Sequence, residues 1–582
     1  MRLLKTGQTL ALSALLTTAA GCIDDKYDLS DIDTTSRFTV NDLTVPMNLD
    51  EIRLKSIIEI EEDSKLQIFT DAEGKQYYAV QETGTFTSDP VHVDEMTCSG
   101  PQVEPVTIAI DRIPATGGTG VAQSSASYDI KPSGRDFTYD ISDIDASVHS
   151  VSAIGVRPMD IVLTLSVSGL SGHVRSMTFS DLIILMPKGL TATSDAGDYD
   201  PATGILSIGS LMTDSPEAKV KVTVTAIDMQ ANGSTLDYDT HSLAYVGEVE
   251  VASGVITVDA EGASQPAAID FTTAYDFGDI YATTFSGEID YRLSGVEISD
   301  VDLSDMPDFL AGEGTDIALV NPQIYLNINN PVGDDGLDCR TGLTLSAIRG
   351  GEVTGSFGID NPFFPITHER GNGPYYYCLS PSAPAEPLPG YPAGELTHVA
   401  FTSLSDVLSG DGLPSAIGIT LDDPCIPLQT VRDFALGQDI QGVDGTYDFF
   451  APLSLKDGST IIYTDTEDGW SDEDVDAITI EKFEVTALAS TDLPLVVRLT
   501  AVVLDKNGNT IDADLSSAEL PANAKDFPFT ITLGEGQTVK NLDGIRFTAH
   551  VKADGATPLS PEQTIVLKKV RGKVSGNYTK EL

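Results

Sequence analysis

The chain contains 582 residues, with 88 acidic and 34 basic side chains and a formal net charge of −54. Hydrophobic residues make up 41% of it, and 51 glycines raise the apolar share to that of ordinary globular proteins. The composition therefore excludes a disordered chain and predicts several domains. Because the sequence has no basic stripe that could neutralise phosphates, we expect no nucleic acid among its partners.

Residues 1–21 have the pattern of a signal peptide. Arg2 and Lys5 precede a short apolar stretch at residues 10–16, and Ala-Ala-Gly-Cys follows at 19–22. This ending resembles the lipobox of bacterial lipoproteins, and the resemblance implies cleavage before Cys22 and diacylation of its thiol. The apolar stretch is shorter than the roughly 20 residues of a membrane-spanning helix, and no other segment approaches that length. We therefore expect membrane attachment through the N-terminal lipid only.

The residues after Cys22 are acidic almost at once. Asp24 and Asp25 lie in the segment Ile-Asp-Asp-Lys-Tyr-Asp at 23–28. It resembles the acidic export signal of Bacteroidetes-type surface lipoproteins, which implies a location on the outer face of the outer membrane. The alternative is a solvated acidic linker. Removing residues 1–21 takes away two basic residues and no acidic one, so the charge becomes −56, which disfavours contact with anionic headgroups.

Internal repeats indicate the organisation of the rest of the chain. Ser-Asp-Ile-Asp occurs at 30–33 and 142–145, and Ser-Asp-Val-Asp occurs at 299–302. A degenerate copy lies at 471–474, and the last three copies precede long strand-like segments spaced by about 160–170 residues. These markers predict the following organisation: a signal peptide at 1–21, an acidic tether at 22–36, and four β modules at 37–140, 141–295, 296–470 and 471–582.

Period-two alternation dominates the modules. Val220, Val222 and Val224 alternate with polar residues, as in a half-buried strand, and Asp-Lys-Asn-Gly-Asn at 505–509 is a turn signal. Short helical patterns occur at 404–408 and 428–436. The pattern predicts a mainly β fold of tandem immunoglobulin-like β-sandwich modules with few short helices. The Asn-Pro-bounded segment 321–331 also resembles a strand of desiccation-type (WHy-like) sandwiches.

Motifs for catalysis are missing from the sequence. The seven histidines form no His-x-x-x-His or His-Glu-x-x-His pair, and no nucleophile elbow or phosphate loop occurs. We therefore expect a protein that is not an enzyme and has no cofactor. Calcium is the one ion that the sequence suggests as a possible ligand. Asp472, Asp474 and Asp476 supply alternate carboxylates, but Ala477 and Phe483 exclude an EF-hand. A calcium site and a solvated acidic linker both remain open.

An insertion rich in proline and aromatic residues stands out in the third module. Residues 361–394 contain eight prolines, and a long loop of this kind in a compact module is often functional. Its aromatic side chains could contact a ligand or cover the module's own core. The candidate ligand-contact residues are Phe363, Phe364, Tyr375, Tyr376 and Tyr377.

The third module also contains three of the five cysteines. We predict at most one disulfide there, between Cys339 and Cys378, although sequence alone does not fix the connectivity.

Together these features favour a non-catalytic, lipid-anchored surface protein, a β-rich rod that binds or adheres to a glycan or protein ligand. One alternative is a structural or assembly component of the outer membrane or of a fimbria-like assembly. Another is a hydrolase whose catalytic carboxylates the sequence does not reveal, because 88 acidic residues will form close pairs by chance.

Overall fold

The computed structural model describes most of the chain. The described residues are 35–46, 52–58, 60, 64–114, 125–261, 264–304, 306, 310, 314–359, 364–469, 471, 476, 478–556 and 558–581.

These residues form 39 strands. The first nineteen are β1 (Thr35–Pro46), β2 (Ile52–Arg53), β3 (Leu66–Thr70), β4 (Gln76–Thr87), β5 (Val91–His92), β6 (Met96–Cys98), β7 (Val106–Asp111), β8 (Ser125–Ile130), β9 (Ser133–Ile141), β10 (Val148–Ser168), β11 (His173–Leu185), β12 (Leu190–Ser194), β13 (Asp198–Asp200), β14 (Ile205–Thr213), β15 (Glu217–Asp228), β16 (Leu236–Asp237), β17 (Ser242–Glu261), β18 (Ala268–Phe277) and β19 (Ile280–Arg292).

The remaining strands are β20 (Glu297–Ile298), β21 (Val301–Asp302), β22 (Asp316–Ile317), β23 (Gln323–Asn329), β24 (Cys339–Arg349), β25 (Glu352–Gly358), β26 (Phe364–Ile366), β27 (Tyr375–Ser380), β28 (Leu396–Ala400), β29 (Gly410–Asp411), β30 (Ala416–Ala435), β31 (Asp439–Ile440), β32 (Asp444–Pro452), β33 (Thr460–Glu467), β34 (Ile478–Thr491), β35 (Leu495–Leu504), β36 (Ala518–Leu520), β37 (Phe527–Thr532), β38 (Gly544–Ala553) and β39 (Thr564–Glu581).

Helices are short in the described ranges. They are α1 (Leu54–Ile57), α2 (Leu404–Val407) and two 3₁₀ turns at Gln230–Asn232 and Pro331–Asp335. The prediction of a mainly β fold is confirmed, and α2 lies where a short helical pattern was found. The second such pattern, 428–436, was wrong: its residues up to Ala435 belong to β30, which pairs with β19 over this segment. Strand pairing with β19 outweighs a weak local helical pattern there.

The chain divides into two compact units. The terminal unit comprises 1–53, 462–552 and 564–582, and the central unit comprises 54–461 and 553–563. The terminal unit contains a sheet in the order β1-β39-β34-β37, with β2 beside β39, and the run β33-β38-β35-β36. Ile480, Val503, Val539 and Leu542 form one of its buried clusters.

Three large sheets build the central unit. Within the described residues, sheet I has twelve strands along the path β12-β15-β10-β19-β30-β24-β25, with β6, β7, β18, β21 and β26 attached. Sheet II has seven strands, β13-β14-β11-β17-β16 with β8 and β9 beside β17. Sheet III also has seven, β20-β4-β32-β23-β27-β28 with β3 beside β4.

Sheet I packs against both other sheets. Phe137 of sheet II and Phe277 of sheet I have ring centroids 4.4 Å apart, and the Tyr139 hydroxyl donates to the Gly278 carbonyl at 2.8 Å. Sheets I and III enclose a small apolar cavity of about 50 Å³, lined by Leu326 on one side and Leu343 on the other among other residues. The alternation predicted in β15 is confirmed, since Val220, Val222 and Val224 are fully buried.

Strand pairing joins segments that are far apart in sequence. β4, from the predicted module 37–140, pairs along its length with β32 from 296–470. β19, from 141–295, pairs with β30 from 296–470. The two compact units therefore do not coincide with the four segments marked by the repeats, because these strand pairs cross the segment boundaries.

A charged contact ties β3 to β21 in the central unit. The Asp302 carboxylate accepts the Ser304 amide at 2.9 Å and the Lys65 ammonium at 2.9 Å. These contacts, the backbone hydrogen bond first, lower the pKa of Asp302 to about 2. Its contribution to stability is therefore present above the unfolded-state pKa near 4 and is lost as the pH falls towards 2.

We expect Asp302→Asn to reduce this acid dependence. The free energy of unfolding should fall by less than about 1 kcal/mol at neutral pH, because the carboxylate is half exposed. The difference from the wild type should shrink between about pH 4 and pH 2, measured by urea unfolding. Asp300→Asn, at an exposed neighbouring position, is the control. A difference that grows on acidification would contradict the assignment.

Candidate ligand-binding site

The predicted aromatic run lies on β27, near one edge of sheet III. β27 pairs antiparallel with β23 on one side and parallel with β28 on the other. Tyr375 and Tyr377 are buried on one face of the strand, and Tyr376 is half-buried on the other, as period two requires. The Tyr377 hydroxyl donates to the Pro365 carbonyl of β26 at 2.7 Å, so its face points towards sheet I.

These residues border a cleft of about 740 Å³ that we call the tyrosine cleft. It is lined by Pro365, Thr367, Glu369, Arg370, Tyr375, Tyr376, Tyr377, Gly394, Glu395, Thr397, His398, Val399 and Ala400. The structure thus brings three of the five predicted aromatic residues together at one open edge.

The tyrosine rings are fixed by their neighbours. The Tyr375 hydroxyl accepts the Arg370 amide at 2.9 Å and donates to the Gly371 carbonyl at 2.9 Å. Burial raises the pKa of Tyr377 to about 12, so its hydroxyl is neutral at physiological pH. Tyr376 packs edge-on against Tyr391, with ring centroids 5.9 Å apart. Tyr376, the half-buried ring of the three, therefore presents a rigid, partly apolar surface at little entropic cost.

Charged side chains stand at the rim of the tyrosine cleft. The exposed Arg370 guanidinium pairs with the Glu395 carboxylate and also donates to the Pro374 carbonyl at 3.2 Å. Glu369 is exposed beside them. Because the pair is solvent-accessible it adds little stability, and its charges remain available to a polar ligand.

His398 of the tyrosine cleft and Ser380 behind it have the residue types of a base and a nucleophile. His398 Nε2 lies 3.1 Å from the Ser380 hydroxyl oxygen. Ser380 is fully buried, however, and its hydroxyl donates to the Ser382 carbonyl at 2.8 Å. A substrate cannot reach that oxygen, so the contact orients the imidazole and does not prepare an attack.

The other predicted site residues are not gathered here. Phe364 begins β26, whose next residue, Pro365, lines the tyrosine cleft, while Phe363 lies outside the described residues. Cys22, Asp24, Asp25, Asp472 and Asp474 also lie outside them, and Asp476 is partly exposed. The described part of the chain contains no cluster of three metal-binding side chains. The calcium hypothesis therefore stays a prediction.

The two cysteines predicted to form a disulfide are free thiols. Cys339 begins β24 in sheet I and borders the apolar cavity, whereas Cys378 lies on β27 in sheet III beside Tyr325 and Leu388. Burial raises the pKa of Cys339 to about 12 and also raises that of Cys378. Both side chains act as small core residues in this structure, because thiols in apolar surroundings stay protonated.

Sequence reasoning missed Arg370, Glu395 and His398. Each lies in or beside the proline-rich insertion, but only the parallel pairing of β28 with β27 brings Glu395 and His398 to the tyrosines. Parallel pairing after a long irregular loop has no signature in period or spacing.

Comparisons with known proteins do not assign the chain to a family. No family model and no curated protein matches the chain. One solved structure, of a Parabacteroides distasonis protein assigned as secreted, aligns at 14% identity and a TM-score of 0.34, over 50% of this chain and 89% of that one. Among the described residues, no helix has the length and apolarity that crossing a membrane requires.

Proposed function

We propose that this chain is a non-catalytic surface protein, anchored to the outer membrane by a lipid on Cys22, that binds a glycan or protein ligand in the tyrosine cleft. The tyrosine cleft carries the proposal: three adjacent tyrosines, an exposed Arg370–Glu395 pair and His398 meet at one open sheet edge. Aromatic rings with a polar tip, combined with an arginine, are the residue types that dominate binding sites.

Binding is a better account of the cleft than catalysis. Glu395 is paired with Arg370, and Tyr375 and Tyr377 use their hydroxyls on backbone carbonyls. Ser380 is buried beneath His398. None of these groups combines an accessible nucleophile with a base or an oxyanion donor. Tyr376 can stack on a ligand, and the exposed Arg370 and Glu395 can hydrogen-bond to it, while the buried tyrosines keep their backbone partners.

A printed glycan array and a displayed peptide library, both probed with the full chain lacking residues 1–22, test the proposal. We expect binding to one class of probe that Arg370→Ala and Tyr376→Ala each weaken about tenfold, because a charge-assisted hydrogen bond or a stacked ring is worth about 1–2 kcal/mol. Titration calorimetry on the selected probe measures the loss.

Arg157→Ala is the matched control. Arg157 is also an exposed arginine of the central unit, pairs with Glu95 at 2.6 Å, and lies 5.4 Å from the centre of the Tyr281 ring. It should bind the probe as the wild type does. Equal weakening by the Arg157 and Arg370 variants would point to a general charge effect and would remove the cleft from the proposal.

A further inference from the structure

A second group of polar residues lies on the central strands of sheet III. β4, β32 and β23 are adjacent, and their register places Thr85, Thr446 and Asn327 in one row across the sheet. A second row contains Thr87, Asp444 and Asn329. We call these six residues the polar face. They line a cleft of about 990 Å³ that shares no lining residue with the tyrosine cleft.

The reverse side of the same strands explains why this face is free. Ile328 of β23 and Tyr447 of β32 point the other way and line the apolar cavity between sheets I and III. Because side chains alternate along each strand, one face of the sheet is buried in the core and the polar face is exposed to solvent. Thr85, Thr87 and Thr446 are exposed there.

From the chemistry of this face we propose that it binds a neutral oligosaccharide. Hydroxyl and amide side chains can donate and accept at once, which suits a ligand whose hydroxyl groups do the same. Neighbouring strands are about 4.8 Å apart, and alternate residues along a strand are about 7 Å apart, so the rows form a regular grid of such groups. The proposal does not depend on a ligand in the tyrosine cleft.

The side chain of Asn327 gives a specific reason to expect a ligand whose hydroxyl group donates a hydrogen bond to the polar face. Its Oδ1 atom is buried and has no hydrogen-bond partner within the described residues. An unpaired acceptor is costly, and the terminal torsion of an asparagine is soft enough to turn it towards the cleft. A ligand hydroxyl donating to this oxygen, and accepting from Nδ2, would satisfy the amide.

The charges on the face exclude an acidic ligand. Asp444 accepts hydrogen bonds from the Asn329 and Gln441 amides, both at 2.8 Å, and no described residue lining the cleft is a lysine or arginine. The exposed Glu297 would repel an anion. Nothing on the face can therefore pair with a sulfate, phosphate or uronate group.

Two aromatic rings continue the first row beyond Asn327. Asn327 is opposite Tyr376 on β27, which also lines the tyrosine cleft, and Tyr376 packs against Tyr391. The Tyr391 hydroxyl donates to the Asp448 carboxylate at 2.6 Å, which fixes that ring beside the row. The apolar faces of sugar rings pack well on such side chains.

A peptide fits this surface less well. β32 and β23 each have strand neighbours on both sides, so their backbone groups are already paired and cannot recruit another strand. The six residues of the polar face offer hydroxyls, amides and one carboxylate, and the apolar lining residues of the cleft, such as Phe86 and Leu421, lie beside them. The polar face would therefore recognise a ligand mainly through hydrogen bonds to its hydroxyl and amide side chains.

Calorimetric titration of the full chain lacking residues 1–22 with hexasaccharides of glucose, mannose, xylose and N-acetylglucosamine tests the inference. We expect at least one to bind, and Thr446→Val and Asn327→Ala each to weaken it about five- to tenfold, as the loss of one or two hydrogen bonds predicts. Thr107→Val, at an exposed threonine of β7 in sheet I, should leave binding unchanged.

Three results would overturn the inference. They are no binding of any neutral hexasaccharide at millimolar concentration, binding that neither variant weakens, and binding of oligolysine or oligogalacturonate in preference to the neutral sugars. Thr446 is exposed, so its variant should fold even if the Asn327 variant does not. Arg370→Ala should not alter the affinity for the neutral sugar, which separates this site from the tyrosine cleft.

Discussion

Replacing Cys22 with Ser should abolish lipid labelling of the protein completely and leave an uncleaved precursor. The argument joins the basic residues at 2 and 5, an apolar stretch too short to span a bilayer, and Ala-Gly-Cys at its end. Each buried acyl methylene contributes about 0.8 kcal/mol, and stable anchoring needs more than one chain. Without the lipid, a body of charge −56 has no attraction to the membrane surface. Metabolic labelling with a palmitate analogue measures the effect.

Asp24→Ala together with Asp25→Ala is the companion experiment. It should keep the lipid but leave the protein protected from protease added to intact cells, because only the acidic export signal is removed. Continued acylation of the Cys22→Ser protein would contradict the anchor, and protease sensitivity of the double variant would contradict the export assignment.

Tyr447→Ala should lower the free energy of unfolding of the central unit by about 3–5 kcal/mol, the range for removing a large buried aromatic side chain. Tyr447 is 1% exposed, borders the apolar cavity and donates its hydroxyl to the Ser299 carbonyl at 2.9 Å. Its ring covers Gly84 on β4, where a Cβ atom would overlap it. Truncation would therefore enlarge a cavity and leave a backbone acceptor without its donor.

Denaturant unfolding of this variant and of two comparison variants measures the effect. Tyr447→Phe keeps the ring and should cost about 1 kcal/mol, the value of one hydrogen bond. Thr446→Ala, at the exposed neighbouring position, should change stability by no more than about 0.5 kcal/mol. If Tyr447→Ala proved no more costly than Thr446→Ala, the packing of sheets I and III described here would be incorrect.

Local features were predictable from the sequence, and long-range ones were not. The alternation around Val220 predicted a strand with one buried face because period two acts within a few residues. The pairing of β4 with β32 could not be predicted, since the partners are more than 350 residues apart and many alternating segments fit equally well.

The candidate sites divide in the same way. Tyr375, Tyr376 and Tyr377 form a run within a proline-rich insertion, which predicted a contact surface, and they do line one cleft. The polar face has no sequence signal, because Thr85, Thr446 and Asn327 come from three distant segments of ordinary composition. Only the register of sheet III places them side by side.

Binding to intact cells tests the central claim, a surface protein that recognises its ligand through the tyrosine cleft, most directly. Cells producing the wild type would be incubated with the labelled probe selected on the array or library, beside cells producing equal amounts of the Arg370→Ala protein. We predict strong labelling of the first and about tenfold lower affinity in the second, with Arg157→Ala cells labelled like the wild type. Equal labelling of wild-type and Arg370→Ala cells, or no labelling of wild-type cells, would contradict the account.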